Sequence, residues 1–169
     1  MDKIKAAVIG VGLLGSRHSH ELKGDARVEL VAVSDLKKDL AESIAGQLGC
    51  QAYGDYSDML SKEAPDLVFV ATPDPFHKDP VVACCEAGVK YIALQKPMAT
   101  TVQDAEQMTA AAKDSGTTIY MIFATRWMAA NNATRHVIRQ GLIGGPVYAD
   151  LLTEDSITVP REMWGGQNQ

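Results

Sequence analysis

Apolar runs of strand length alternate with helix-period segments along most of the 169 residues. Lys5–Gly10 (KAAVIG) and Val28–Ser34 (VELVAVS) predict the first two strands. Leu67–Ala71, Tyr91–Leu94 and Thr118–Phe123 predict three more, with a short strand around Gln51–Tyr53. Most of these runs are continuously apolar rather than alternating, the pattern of strands covered on both faces. Between them, Leu36, Leu40, Ile44 and Leu48 recur every four residues as one helical stripe, which Gly49 can end. Thr101-Val102-Gln103-Asp104 has the form of a capping box, with Val102, Ala105, Met108 and Ala112 then sharing one face up to Ser115-Gly116. Cys84 and Cys85 read as small core residues of another helix, and a last helix is expected from about Asn131 to Gln140. Strand, helix, strand in repetition predicts an α/β fold: a Rossmann-type, doubly wound parallel sheet with right-handed crossovers.

The pattern breaks at Gly141–Pro146, a turn-rich stretch. Val147–Thr153 (VYADLLT) reads as a new strand, and residues 154–169 hold no convincing element. The expected organisation is a first domain over 1–124, a crossover helix and turn over 125–145, and over 146–169 only the first strand of a second, α+β domain. Trp127 and Trp164 are read as packing residues.

Composition narrows the function. Apolar residues make up 46% and charged residues 22%, which excludes intrinsic disorder and fibrous repeats. A net charge of −5 argues against nucleic-acid or anionic-membrane partners, which need a basic footprint. It leaves room for a nucleotide cofactor whose phosphates are held by backbone N–H groups. No apolar stretch approaches the roughly 20 residues that span a bilayer, and the N-terminus lacks signal-peptide anatomy. Cys50, Cys84 and Cys85, an odd set with an adjacent pair, suggest free thiols in a reducing compartment; a cytoplasmic protein is expected. No second Cys or His lies at zinc-ligand spacing, so no metal site is expected.

The chemistry gathers first at Gly10-Val11-Gly12-Leu13-Leu14-Gly15, a G-x-G-x-x-G between the first strand and a helix. Gly10 permits the tight turn, Gly12 lets the backbone approach a pyrophosphate, and Gly15 lets the helix sit close to the sheet. The helix start at Leu13 and Leu14 then offers N–H groups and a positive dipole end to the phosphates. Asp35 follows the second strand, where a carboxylate can accept both ribose hydroxyls of an adenosine and repel a 2′-phosphate. The bland alternative has Asp35 capping a helix that starts at Leu36. Lys37 and Lys38 could greet a 2′-phosphate, but lysines at a helix start are commonly solvated. NAD is therefore favoured, with NADP the second choice.

Further along, the chain resembles the Gfo/Idh/MocA oxidoreductases, the family of glucose–fructose oxidoreductase and inositol dehydrogenase. The glycine loop continues to His18, matching G-x-G-x-x-G-x-x-H. Thr72-Pro73-Asp74-Pro75-Phe76-His77 resembles T-P-[N/D]-x-x-H, and Gln95-Lys96-Pro97 resembles E-K-P. Arg126 and Gly141–Gly144 resemble the residues that lead into the family's second domain. Two departures stand out: Gln95 replaces the usual Glu, and most of the second domain that would complete the substrate pocket lies outside this chain.

The resemblance implies roles. Lys96, at the carboxyl end of the fifth strand with Pro97 restricting its backbone, would exchange the substrate's hydroxyl proton. Beside an oxidised nicotinamide, like charge and desolvation favour the neutral amine that takes a proton. Thr72 and Pro73 would line the cofactor groove and His77 would fix that loop by hydrogen bonding. Gln95 would bond a cofactor hydroxyl, and His18 would pack beneath the glycine loop. Arg126 would contact substrate or cofactor, or pair with an acid on the crossover helix. The implied function is hydride transfer between NAD and an alcohol carbon of a sugar, cyclitol or similar small molecule. This chain alone is expected to bind nucleotide without catalysing, and either to self-associate through the unpaired Val147–Thr153 segment or to be disordered beyond about Gly144; the intact enzyme is expected to be a homo-oligomer. Two other readings stay open: a nucleotide-sensing module without catalysis, and an S-adenosylmethionine-dependent transferase, against which the Gln-Lys-Pro and Thr-Pro-Asp motifs speak.

Overall fold

The structure, a computed structural model, describes residues 3–152. The chain divides into two compact units, 1–122 and 123–169. In the first, six strands form one parallel sheet: β1 (Ile4–Ile9), β2 (Val28–Ser34), β3 (Gln51–Tyr53), β4 (Leu67–Val70), β5 (Tyr91–Gln95) and β6 (Thr118–Ile122). Their order is β3-β2-β1-β4-β5-β6, so the winding reverses between β1 and β4. Gly10, Ala71 and Phe123, predicted as strand ends, fall just outside the observed strands, whereas Ile4 and Gln95 extend β1 and β5 by one residue each.

Helices cover both faces, which explains the continuously apolar strands. On one face α1 (Leu13–Gly24) and α2 (Lys38–Leu48) bring Leu22, Ile44 and Leu48 against Ala6, Val8, Leu30 and Val33. On the other, α3 (Tyr56–Glu63), α4 (Lys78–Glu86) and α5 (Val102–Ser115) bring Met59, Val81, Cys84 and Met108 against Val68, Val70, Ile92 and Leu94. Cys84 and Cys85 are core residues, all three cysteines are free, and burial pushes the Cys84 thiol up.

Local chemistry sets the helix ends. Asp55 caps α3 by accepting Ser57 N–H at 2.6 Å. Thr101 Oγ1 caps α5 by accepting Asp104 N–H at 3.1 Å, and donates in turn to Asp104 Oδ2 at 2.7 Å. The carboxylate of this cap thus bonds the Thr101 hydroxyl. Two members of the predicted stripes are solvent-facing. Leu36 is 92% exposed because α2 begins only at Lys38, and Val102, the first residue of α5, is 76% exposed.

The second unit carries a 3₁₀ turn over Ala124–Trp127 and helix α6 (Ala129–Arg139), two residues earlier in its start than the Asn131 predicted. Asn131 Nδ2 donates to Thr125 O at 2.5 Å and Asn132 Nδ2 to Trp127 O at 3.0 Å, tying turn to helix. Trp127 is exposed, contrary to a packing role, and Trp164 lies outside the described residues. The strand predicted over Val147–Thr153 is not formed at 147–152, and Thr153 lies outside the described residues. A strand exists through its ladder to a neighbour, and this apolar run is left fully exposed at Val147 without one.

Candidate functional site

Strand register positions the site. Ile9 pairs with Ser34 on one side and Val70 on the other, and Val70 pairs with Leu94. The residues that follow (Gly10, Asp35, Ala71 and Gln95) therefore emerge side by side at the carboxyl edge, around the point where the winding reverses. Open α/β sheets bind ligands at that place.

The three loop glycines are needed for different reasons. Gly10 has φ +82° and bonds Ser34 O at 2.8 Å; a Cβ there would lie 2.8 Å from Thr72 N. A Cβ on Gly15 would lie 1.7 Å from Gly10 O, so only glycine allows α1 this close to the loop. At Gly12 a Cβ would meet nothing within 4 Å. The protein's own packing does not require glycine at 12. Gly12 is also the N-cap of α1 and supplies no capping side chain, so the first-turn N–H groups of Leu13, Leu14 and Gly15 are open to an external acceptor.

Asp35 is half-buried beside this loop. Its Oδ2 accepts Val11 N–H at 2.9 Å and its Oδ1 accepts Lys37 N–H at 2.9 Å. The N-cap of α2 is Lys37, so the capping alternative for Asp35 is replaced by a turn at 35–37 that delays the helix and turns Leu36 outward. An ionised carboxylate has about four acceptor positions, and these two bonds use two of them. The remainder suits a pair of ribose hydroxyls. Lys38 pairs along its own helix with Glu42 at 3.5 Å.

The loops after β4 and β5 form the other wall. Thr72 Oγ1 donates to Phe76 O at 3.0 Å, and Pro73 leads into a 3₁₀ turn over Asp74–Phe76. His77 is 1% exposed; its Nε2 lies 2.9 Å from Thr72 O and its Nδ1 2.9 Å from Pro97 O. The ring thereby joins the Thr72–His77 loop to the loop that follows Lys96. The Lys96–Pro97 peptide is cis. Lys78 of α4 and Asp104 of α5 pair at 3.2 Å behind these loops.

Gln95, the last residue of β5, has a partner within the fold. Its side-chain Nε2 lies 2.7 Å from Nε2 of His18 on α1, whose ring also rests against Phe69 of β4. His18 thus reaches across to β5, a contact between residues 77 apart in sequence that no local signal foretells. Gly10, Gly12, Leu13, Leu14, Gly15, Asp35, Thr72, Pro73, His77, Gln95 and Lys96 all belong to the first unit and to this edge of its sheet. Arg126 belongs to the second unit, on its 3₁₀ turn, where its carbonyl accepts Arg135 Nη2 at 3.2 Å. Among the described residues no cluster of His, Cys, Asp and Glu could hold a metal ion, and no helix is long and apolar enough to cross a membrane.

A winding reversal that carries a bare glycine loop, with an acid after the second strand, defines the dinucleotide-binding class of Rossmann domain. Residues 4–123 match the Gfo/Idh/MocA family, described as an oxidoreductase family with an NAD-binding Rossmann fold, and the chain belongs to that family. It is 33% identical to D-apiose dehydrogenase of Paraburkholderia graminis over 149 residues, 88% of this chain and 40% of that enzyme. The crystal structure of myo-inositol 2-dehydrogenase from Lactobacillus plantarum is similar with a TM-score of 0.79 and 27% identity, covering 85% of this chain and 43% of that one. The WlbA dehydrogenase of Bordetella pertussis, solved with NADH and UDP-GlcNAcA, gives a TM-score of 0.76 at 26% identity, over 82% and 42%. The chain spans less than half the length of these relatives.

Proposed function

We propose that the chain is the cofactor-binding part of an NAD-dependent oxidoreductase acting on an alcohol carbon of a sugar, cyclitol or similar small molecule. The observation that carries this reading is the level carboxyl edge. It sets the open N-terminus of α1, the half-used carboxylate of Asp35 and Lys96 around one winding reversal. NAD, when bound, supplies the hydride acceptor. The N–H groups of Leu13, Leu14 and Gly15 hold its pyrophosphate and Asp35 its adenosine ribose. The Thr72–His77 loop borders the nicotinamide and is held by the His77 bridge. Lys96 Nζ takes the substrate's hydroxyl proton as hydride leaves the same carbon, and returns it in the reductive direction.

Positioning of the reacting groups is worth roughly 7–11 kcal/mol, and relatives of more than twice this length have further chain that can contribute to it. Residues 1–169 alone therefore bind nucleotide and turn nothing over. The working enzyme is a cytoplasmic homo-oligomer without nucleic-acid or membrane partners, a setting in keeping with three free cysteines. A nucleotide-sensing module is the second reading, favoured by Gln95 in place of a carboxylate. The deciding assay is a panel of polyols and sugars at saturating NAD. NAD-dependent oxidation by a protein extended to the length of its relatives supports the enzyme. Tight NADH binding with no turnover in that longer protein supports the sensor.

A further inference from the structure

Gln95 ends β5 one residue before Lys96, and its side chain bonds α1. Four side chains are linked there. Arg17 Nε donates to Glu21 Oε1 at 3.0 Å, and this bond holds the Glu21 carboxyl below its usual range. The other carboxylate oxygen, Oε2, lies 3.2 Å from His18 Nδ1. A carboxylate only accepts, so the hydrogen of that contact sits on Nδ1. A neutral ring then presents a lone pair at Nε2, and the Gln95 amide N–H, 2.7 Å away, donates to it. Every contact from Arg17 to Gln95 is thus a donor meeting an acceptor.

We infer that the Glu21–His18–Gln95 chain is a strut between the helix that receives the pyrophosphate and the strand that carries Lys96. Gln95 is a positioning residue for Lys96, and an amide at 95 keeps the strut whole with a neutral histidine. The inference rests on the proposed roles of the glycine loop and Lys96. A carboxylate at 95 cannot donate, so its bond to His18 would require a second ring proton. The groups facing the ring are Glu21 with Arg17 behind it on α1, Phe69 from β4, and the neutral Gln95 from β5. With Gln at 95 the strut holds without a charge on the imidazole; with Glu it would hold only while that charge is present.

The test uses wild type, Gln95→Glu, His18→Leu and His18→Gln, with NADH titrations between pH 6 and 9 and ¹⁵N NMR of the His18 ring. Wild type is expected as the Nδ1–H tautomer at pH 7.5, with NADH affinity level from that pH upward. In Gln95→Glu, affinity falls about two- to tenfold between the acid and the alkaline end of the range, because the strut loses its required second ring proton. His18→Leu loses a similar factor at every pH. His18→Gln, whose carbonyl oxygen can accept from Gln95, recovers most of it. An Nε2–H tautomer in wild type overturns the inference, as does a Gln95→Glu profile that stays flat. If wild type binds no NADH the functional reading fails, and the tautomer alone then decides the strut.

Discussion

Replacing Asp35 by alanine removes two things at once, and they can be measured separately. The first is the anchor of the glycine loop. Val11 is 1% exposed, and its N–H has the Asp35 Oδ2 as acceptor at 2.9 Å. Deleting the acceptor orphans a buried donor, which costs about 1–3 kcal/mol. At about 2–4 °C per kcal/mol for a chain of this size, the melting temperature of the nucleotide-free protein should fall by about 2–12 °C. The second is the proposed ribose contact. Losing a charge-assisted pair of hydrogen bonds costs about 1.5–3 kcal/mol, or one to two decades in NADH affinity. NADPH should suffer less, since the 2′-phosphate no longer meets a carboxylate. Asp35→Asn separates the two effects, because its one carbonyl oxygen can keep the Val11 bond and restore melting while NADH affinity stays low. Thermal melts and fluorescence titrations with both nucleotides read all of this. Wild-type preference for NADPH, or unchanged NADH affinity in Asp35→Ala, would refute the ribose assignment; an unchanged melting temperature would refute the anchor.

Further outcomes follow from the same geometry. Gly12→Ala should leave the apo protein within about 1 kcal/mol of wild type, since its Cβ enters open space, yet weaken NADH about tenfold or more. Gly15→Ala, whose Cβ would meet Gly10 O, should destabilise by about 3 kcal/mol or more; equal melting curves for the two variants would contradict this contrast. In a protein extended to its relatives' length, Lys96→Ala should lose about 10²–10⁴ in kcat while still binding NADH, and full turnover across pH would remove Lys96 from the chemistry. Lys90, with help from Lys5 N–H, holds the Asp66 carboxyl below 3.8, so its stabilisation is complete above pH 3.8 and is lost as the pH falls through the lower folded value. Asp66→Asn should therefore show a shallower loss of stability below pH 3.8 than wild type in denaturant titrations, and identical slopes would count against it.

The sheet was legible because burial on both faces leaves a signature in each strand. Val28–Ser34 carries it from Leu30 onward and its bounds match the prediction, and the other strand boundaries shift by no more than a residue. The helical stripes were legible in their middles, at Leu40–Leu48 and Met108–Ala112, where packing acts. They misled at their starts, where a side chain turning the backbone outranks hydrophobic spacing: Asp35 claims the Lys37 N–H and Leu36 is turned to solvent. Helix α3 had only Met59 and Leu60 as buried residues, too few to make a stripe. In the site, the glycine loop and Asp35 were readable because their chemistry is local to a strand end. The His18–Gln95 contact was not, because it exists only once α1 lies over β4 and β5. The strand predicted from Val147 is not formed over 147–152 for a related reason: an apolar run has strand potential, but a strand needs a neighbour.

Whether the glycine loop of this chain holds NADH is most directly decided by calorimetric titration of NADH into residues 1–169, beside the Gly12→Ala variant. Saturable one-to-one binding by wild type, weakened about tenfold or more by a single methyl group that touches nothing in the apo protein, is the expected result. Wild type that shows no saturation by about 1 mM NADH, or a variant that binds as tightly as wild type, would contradict it.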